Sequence, residues 1–433
     1  MQNNIQQDIN NKPMSSYQIM IISICVIINI LDGFDVLVMA FTAPALAEEW
    51  AIPNSELGIL FSAGLLGMTA GSLFIAPYAD KFGRRNIILL CLTIISSSMF
   101  ISTFTESVSQ LTIVRTITGL GIGGMLASMN VLVAEYSSSK YQGLSISVLQ
   151  SSYPVGAIIG GMVSVYLITN YGWQSAFLLG AILSAIMIPV VYFVLPESVD
   201  FLINNRPKNA LTKLNKTLHK LGYEKVTELP RISGTEKQSN NSVKGLFSKG
   251  LARSTIVLWS VFFCIMTTVY FVLNWTPKIL VDAGLSMEAG ISSSVIMNIG
   301  GTLGGLLLGV ITAKFLPSKV VSVFIATTIV CLVLFGISTT DLNQAMILAT
   351  LLGFFLFGSM IGLYTLVPNI YQAKIRTTGM GWSIGIGRIG GVLSPLIAGF
   401  LLDLSFETST LFMLYAIPMV IGFVALRFLR AES

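Results

Sequence analysis

At 433 residues the chain has room for two or three soluble domains, but 54% hydrophobic against 10% charged residues leaves too little charge to cover a water-facing surface. The apolar residues arrive instead in uninterrupted blocks, long enough to cross a hydrocarbon core of ~30 Å at ~1.5 Å per helical residue. The composition specifies a polytopic membrane protein built of helices, because barrel strands would alternate apolar and polar residues in runs of roughly ten.

In chain order, a polar segment at 1–16 is expected to form a cytoplasmic tail. The first apolar block, 17–46, is too long for the apolar region of a cleavable leader and lacks a convincing small-residue cleavage site, so it reads as a retained span. Near its midpoint lie Asp32 and Asp35, one turn apart on a shared face, with Phe34 beside them and Gly33 leaving room. Blocks at 56–78 and 86–105 follow, and Asp80, Lys81, Arg84 and Arg85 crowd the short connection between them. The fourth block, 109–134, carries Arg115 and a run of small residues at Gly119, Gly121, Gly123 and Gly124, and Glu135 stands at its inner end. Blocks at 144–169 and 174–195 complete a first set of six; the fifth holds Tyr153, Gly156, Gly160 and Gly161. Small residues at these spacings let helix backbones approach closely.

From 196 to 250 the composition turns to Asn, Lys, Ser and Thr, with the one histidine of the chain, His219. This is expected to be a cytoplasmic linker with a short amphipathic helix around 210–220. Six further blocks follow at 251–274, 287–312, 320–338, 344–367, 379–402 and 409–427, before a tail at 428–433. Shifting the halves by about 235 residues pairs Lys81 and Phe82 with Lys314 and Phe315, Tyr136 with Tyr371, and Gly156 with Gly391, as a duplicated unit would. Two six-helix domains, 17–195 and 251–427, are therefore expected. Cys25, Cys91, Cys264 and Cys331 all fall inside spans and predict no disulfide.

Charge outside the spans sets the topology. One set of connections carries Lys81, Arg84, Arg85, Lys140, ten Lys or Arg between Pro196 and Gly250, and then Arg253, Lys314, Lys319, Lys374, Arg376, Arg427 and Arg430. The opposite set carries Glu48, Glu49, Glu56, Glu106, Asp282, Glu288, Asp341, Asp403 and Glu407, with Lys278 as its one base. Positive-inside bias places both termini and the linker in the cytoplasm. The net charge of +5 is this bias, and no nucleic-acid partner is expected.

Of 25 basic and 20 acidic residues, only Asp32, Asp35, Arg115 and Arg388 sit well inside a span. An ionisable group there costs several kcal/mol unless paired or wet, which makes each a candidate for function. Arg388 lies about 14 Å from the inner end of its span and Arg115 about 9 Å from the outer end of its own. Ion pairs that hold the helices together are one reading. The other divides the work: a guanidinium forks a substrate carboxylate, and the acids, with no histidine in any span, exchange protons. Phe34, Tyr153, Tyr270, Asn274, Trp275, Tyr364 and Trp382 offer ring faces, phenols and an amide suited to a planar organic acid. Trp275 and Trp382 serve equally well as interface anchors. No span carries a metal-ligand set or a nucleophile with a base, which disfavours an enzyme, a metal and a cofactor.

The stretch Ala76-Pro77-Tyr78-Ala79-Asp80-Lys81-Phe82-Gly83-Arg84-Arg85 resembles the signature loop of the major facilitator superfamily, Gly-x-Leu-Ala-Asp-Arg-x-Gly-Arg-Arg, with Ala76 and Tyr78 as departures. Arg115 and Gly119 resemble the Arg-x-x-x-Gly pattern of its fourth span. The resemblance implies an all-α fold of twelve transmembrane helices in two pseudo-symmetric six-helix bundles. It also implies a cytoplasmic gate at Asp80, Arg84 and Arg85, with Glu135 as partner.

Asp32-Gly33-Phe34-Asp35 is similar to the Asp-Gly-Phe-Asp motif of the superfamily's aromatic acid:proton symporters, in which those acids are needed for transport. Leu195-Pro196-Glu197-Ser198, Tyr270 to Pro277 and the runs Arg376-Thr377-Thr378-Gly379 and Gly387-Arg388-Ile389-Gly390 are also similar to that family. Leu126-Ala127-Ser128-Met129-Asn130 lacks its Pro-Asn, and Gln142 stands where a basic residue is common. The resemblance implies a proton-coupled importer of an aromatic carboxylate in the bacterial inner membrane, acting as a monomer. A muconate-type diacid or a sugar acid is the alternative substrate. A drug antiporter is disfavoured, since Pro154 and Gly160-Gly161 do not make the Gly-Pro-x-x-Gly-Gly pattern of antiporters.

Overall fold

The computed structural model describes residues 13–229, 243–248, 251–312, 314–337, 342–371 and 373–429. Most of the expected N-terminal tail, part of the linker, Asp341, the side chain of Lys374 and the tail from Arg430 lie outside them. Among the described residues, twelve helices are long and apolar enough to cross a membrane. They are α1 Ser16–Trp50, α2 Asn54–Phe74, α3 Arg84–Ser102, α4 Val108–Tyr136, α5 Gln142–Tyr171 and α6 Gln174–Val194. The second series is α7 Ala252–Asp282, α8 Met287–Thr312, α9 Pro317–Ile337, α10 Leu342–Ile370, α11 Ala373–Asp403 and α12 Thr408–Leu426. Five of the apolar blocks, 17–46, 109–134, 144–169, 344–367 and 379–402, sit inside helices that run past them at both ends, and α7 continues through Asp282, beyond the block ending at 274. Backbone amides still need intrahelical partners beyond the hydrocarbon, so the apolar block marks lipid contact and not the end of the helix.

Glycines decide which helices touch. A Cβ on Gly33 of α1 would fall on the Tyr153 carbonyl oxygen of α5, and one on Gly156 of α5 would fall on the Ile30 carbonyl of α1. The two backbones therefore cross in direct contact beside Asp32. Gly67 and Gly71 of α2 press in the same way on Thr116 and Leu120 of α4, and Gly123 of α4 presses on Met68. In the second series α7 packs along α11, with Gly390 and Gly391 against Phe263 and Tyr270, and α8 along α10, with Gly300 and Gly304 against Thr350 and Phe354. First-with-fifth and second-with-fourth pairing thus occurs in both series, the pattern expected of an internal repeat.

Two compact units can be distinguished. The first gathers residues up to Val36, Leu66–Gly156 and the chain from Phe177 into the linker; the second gathers Leu37–Leu65, Ala157–Ala176 and the later half. These units cut across α1, α2, α5 and the start of α6, so their limits differ from a simple division into successive sets of six spans. In the first, Ile88, Cys91, Leu132 and Tyr136 are fully buried or nearly so. A linker helix, Ala210–Leu221, buries Leu214, Leu218 and Leu221 on one face, and Lys220 lies over the Tyr17 ring at 5.1 Å. In the second, Phe271 stacks on Tyr415 at 3.9 Å and meets Phe412 edge-on at 5.0 Å.

Candidate functional site

The first unit holds an acid cluster around the α1–α5 crossing. Asp32, Phe34 and Asp35 are buried at 3%, 3% and 1% exposure. Among the described residues, Asp32 Oδ2 and both carboxylate oxygens of Asp35 accept no hydrogen bond. A buried carboxylate left in that condition is costly, and protonation is the direct way to reduce the cost. Asn29, one turn before Asp32, donates to the Leu149 carbonyl at 2.6 Å and to Ser152 Oγ at 2.9 Å, which fixes α1 on α5. Gly180 of α6 leaves room beside this cluster, since a Cβ there would come within 2.8 Å of Asp35 Oδ1 and 3.2 Å of Phe34 Cε1.

Arg115 joins the cluster through an unexpected atom. Its Nη2 donates to the backbone carbonyl of Asp35 at 2.7 Å, its Nη1 to Met99 Sδ at 3.3 Å, and the guanidinium lies 5.6 Å from the centre of the Phe177 ring. It interacts electrostatically with the Asp35 carboxylate, but no ion pair within 4 Å forms between them. The two charges therefore influence each other without the carboxylate being tied up. Tyr153 supplies the carbonyl under which Gly33 packs.

In the second unit Tyr270, Tyr364 and Arg388 form a separate group, in which both phenols interact electrostatically with the guanidinium. Asn274 donates to the Tyr270 carbonyl one turn earlier at 2.7 Å. Trp275 is fully buried, donates its indole N–H to the Pro395 carbonyl at 3.2 Å and packs edge-on against Phe61. Its ring is committed to helix packing. Trp382 stacks on Trp259 at 5.7 Å and remains 44% exposed.

The cytoplasmic gate candidates form their own network in the first unit. Arg84 makes an ion pair with Glu135, its Nη1 donates to Ser198 Oγ at 2.6 Å, and Ser198 Oγ donates to Glu135 Oε1 at 3.0 Å. Asp80 is 3.5 Å from Arg84 with its side chain 81% exposed, so most of the interaction resides in the buried triad. Arg85 turns to α6, donating to the Tyr192 and Val191 carbonyls, and its amide donates to Glu197 Oε1 at 3.1 Å. Burial pushes the Glu197 carboxyl above the usual carboxylate range, against hydrogen bonds from the Arg85, Ser198 and Arg84 amides. Gly83 has a φ of +99°, and a Cβ there would strike the Glu197 carboxylate.

The sequence placed Ser198 and Glu197 only within a resemblance, and it missed Asn29. A buried amide on the same face as Asp32 is the signal that would have found the latter.

Residues 25–340 and 294–433 match the family model of the Major Facilitator Superfamily. The chain is 30% identical to a gallate transporter of Pseudomonas putida over 95% of this chain and 91% of the relative. It is 30% identical to the 4-hydroxybenzoate transporter PcaK of the same organism over 97% and 94%, and 27% identical to a benzoate transport protein of Acinetobacter baylyi over 97% and 91%. Among solved structures, the inward-open xylose transporter XylE of Escherichia coli superposes with a TM-score of 0.74 at 16% identity, over 96% of this chain and 97% of that one. Twelve apolar helices, the repeated pairing of helices and charges held inside the spans define a multi-pass membrane transporter. The chain belongs to the major facilitator superfamily and adopts its fold.

Proposed function

We propose that this protein is a proton-coupled symporter that imports an aromatic carboxylate across the bacterial inner membrane by alternating access. The observation that carries the coupling is the buried pair Asp32 and Asp35, whose carboxylates have oxygens without hydrogen-bond donors among the described residues. A proton on either acid relieves an uncompensated charge, and a proton lost to the cytoplasm restores it. The relatives named for gallate, 4-hydroxybenzoate and benzoate support the substrate class.

Arg388, flanked by Tyr270 and Tyr364, is the proposed anchor for the substrate carboxylate: a guanidinium supplies two parallel donors and the phenols add polar contacts and ring faces. Asn274 and Trp382 of the same unit are proposed to complete that anchor, and Phe34 and Tyr153 are proposed as substrate-binding residues of the first unit, with Arg115 acting on Asp35 more than on substrate. Domains 17–195 and 251–427, joined by the 196–250 linker, rock about the site with both termini cytoplasmic, and one chain suffices.

The test is thermal stabilisation of the purified protein by a panel of acids: gallate, 4-hydroxybenzoate, benzoate, muconate and a sugar acid. A ligand that binds the folded state raises apparent stability by mass action. Aromatic monocarboxylates are expected to raise the melting temperature and the sugar acid to leave it unchanged; the reverse order would sink the aromatic reading. Arg388→Lys keeps the charge but loses the fork, and is expected to weaken binding by about 1.5–3 kcal/mol. Full affinity in folded Arg388→Ala protein would place the anion site elsewhere.

A further inference from the structure

Within the second unit the start of α2 meets the end of α11 along a seam of bare backbone. A Cβ at Gly58 would fall against the Pro395 carbonyl, and one at Gly399 against the Asn54 carbonyl. Deeper in, Ser62 Oγ donates to the Val392 carbonyl at 2.7 Å. At the rim, Asp403 Oδ1 accepts the Asn54 amide and Oδ2 the Ser55 amide, each at 2.9 Å.

Those amides begin α2, where no carbonyl of the helix itself can reach them. A carboxylate on the last residue of one span therefore caps the first turn of another, with its charge aligned to the helix dipole. The seam has little side-chain interlocking to undo, and Asp403 is exposed, so water can replace either partner when the helices part.

We propose that Asp403 is the latch of the external gate, holding α11 to α2 in the outward-closed state and releasing it when the gate opens. This goes beyond the transport reading and rests on its alternating access and its topology.

The test uses full-length protein in intact cells with a Ser62→Cys reporter, since Ser62 is 1% exposed and the four native cysteines are buried. A membrane-impermeant maleimide reaches the reporter only through an open seam. Asp403→Asn keeps the shape but removes the charge and one acceptor, and should raise the labelling rate by about twofold to thirtyfold, the range for a lost helix cap. Asp403→Glu should stay nearer the parent rate. Ser55→Pro removes an amide from the other side at a first-turn position that tolerates proline, and should raise labelling too if Asp403→Asn fails to reach the membrane. A control reporter, Ser98→Cys between α3 and α4, should remain unlabelled in each background. Parent-level labelling in the seam variants, or equal gains at both reporters, would overturn the latch. A gain confined to inside-out vesicles would uphold it and overturn the topology.

Discussion

Replacing Asp32 with Asn is expected to abolish uptake against a gradient while leaving the protein folded and able to bind substrate. The amide has the size of the protonated acid, so the neutral state is mimicked and helix packing is preserved, but no proton can be released. Facilitated equilibration down a substrate gradient should survive in part, because a permanently neutral site can still alternate. Asp35→Asn is expected to do the same, since its carboxylate is equally buried and without donors among the described residues. Counterflow and gradient-driven uptake, measured side by side, separate lost coupling from lost binding. Full uphill uptake by both variants would remove the acids from the coupling step.

The second large effect is expected at Gly33. A single methyl there would lie 2.0 Å from the Tyr153 carbonyl oxygen, which is backbone and cannot turn aside as a side chain would. Gly33→Ala must therefore push α1 away from α5, breaking the Asn29 hydrogen bonds and shifting both acids. Overpacking typically costs about 1–3 kcal/mol, and a backbone clash lies at the upper end of that range. Gly381→Ala is the matched control, because a Cβ there meets nothing within 4 Å. The melting temperature of purified protein should fall clearly for the first and stay put for the second; equal values would mean that the crossing is looser than it looks.

Span number, helix type and the buried charges were legible in the sequence because each rests on a local and expensive requirement. A hydrocarbon core demands a long apolar block, and a charge inside one is too costly to be incidental. Helix ends were less legible: α1 reaches Trp50 and α10 reaches Ile370, past the apolar blocks, because helical hydrogen bonding continues where lipid contact stops. Partnerships across the fold were not legible at all. Spacing put Arg115 shallower than Asp35, and it could not say that the guanidinium binds the Asp35 carbonyl without forming an ion pair with the carboxylate. Nor could it show that Ser198 bridges Arg84 and Glu135. Asp403 registered only as one more acid in an outer loop, since a helix cap supplied by a residue 349 positions away leaves no local trace. Trp275 and Trp382 illustrate the same limit: identical rings near span ends, one spent on the Pro395 carbonyl and the other exposed.

Proton coupling is tested most directly by uptake of labelled 4-hydroxybenzoate into proteoliposomes holding the purified protein, with and without an imposed pH gradient, acid outside. Coupling through Asp32 and Asp35 predicts accumulation above the external concentration only when the gradient is present, and its collapse on adding a protonophore. Uptake that stops at equal concentrations and takes the same course whether or not the gradient is imposed would contradict it.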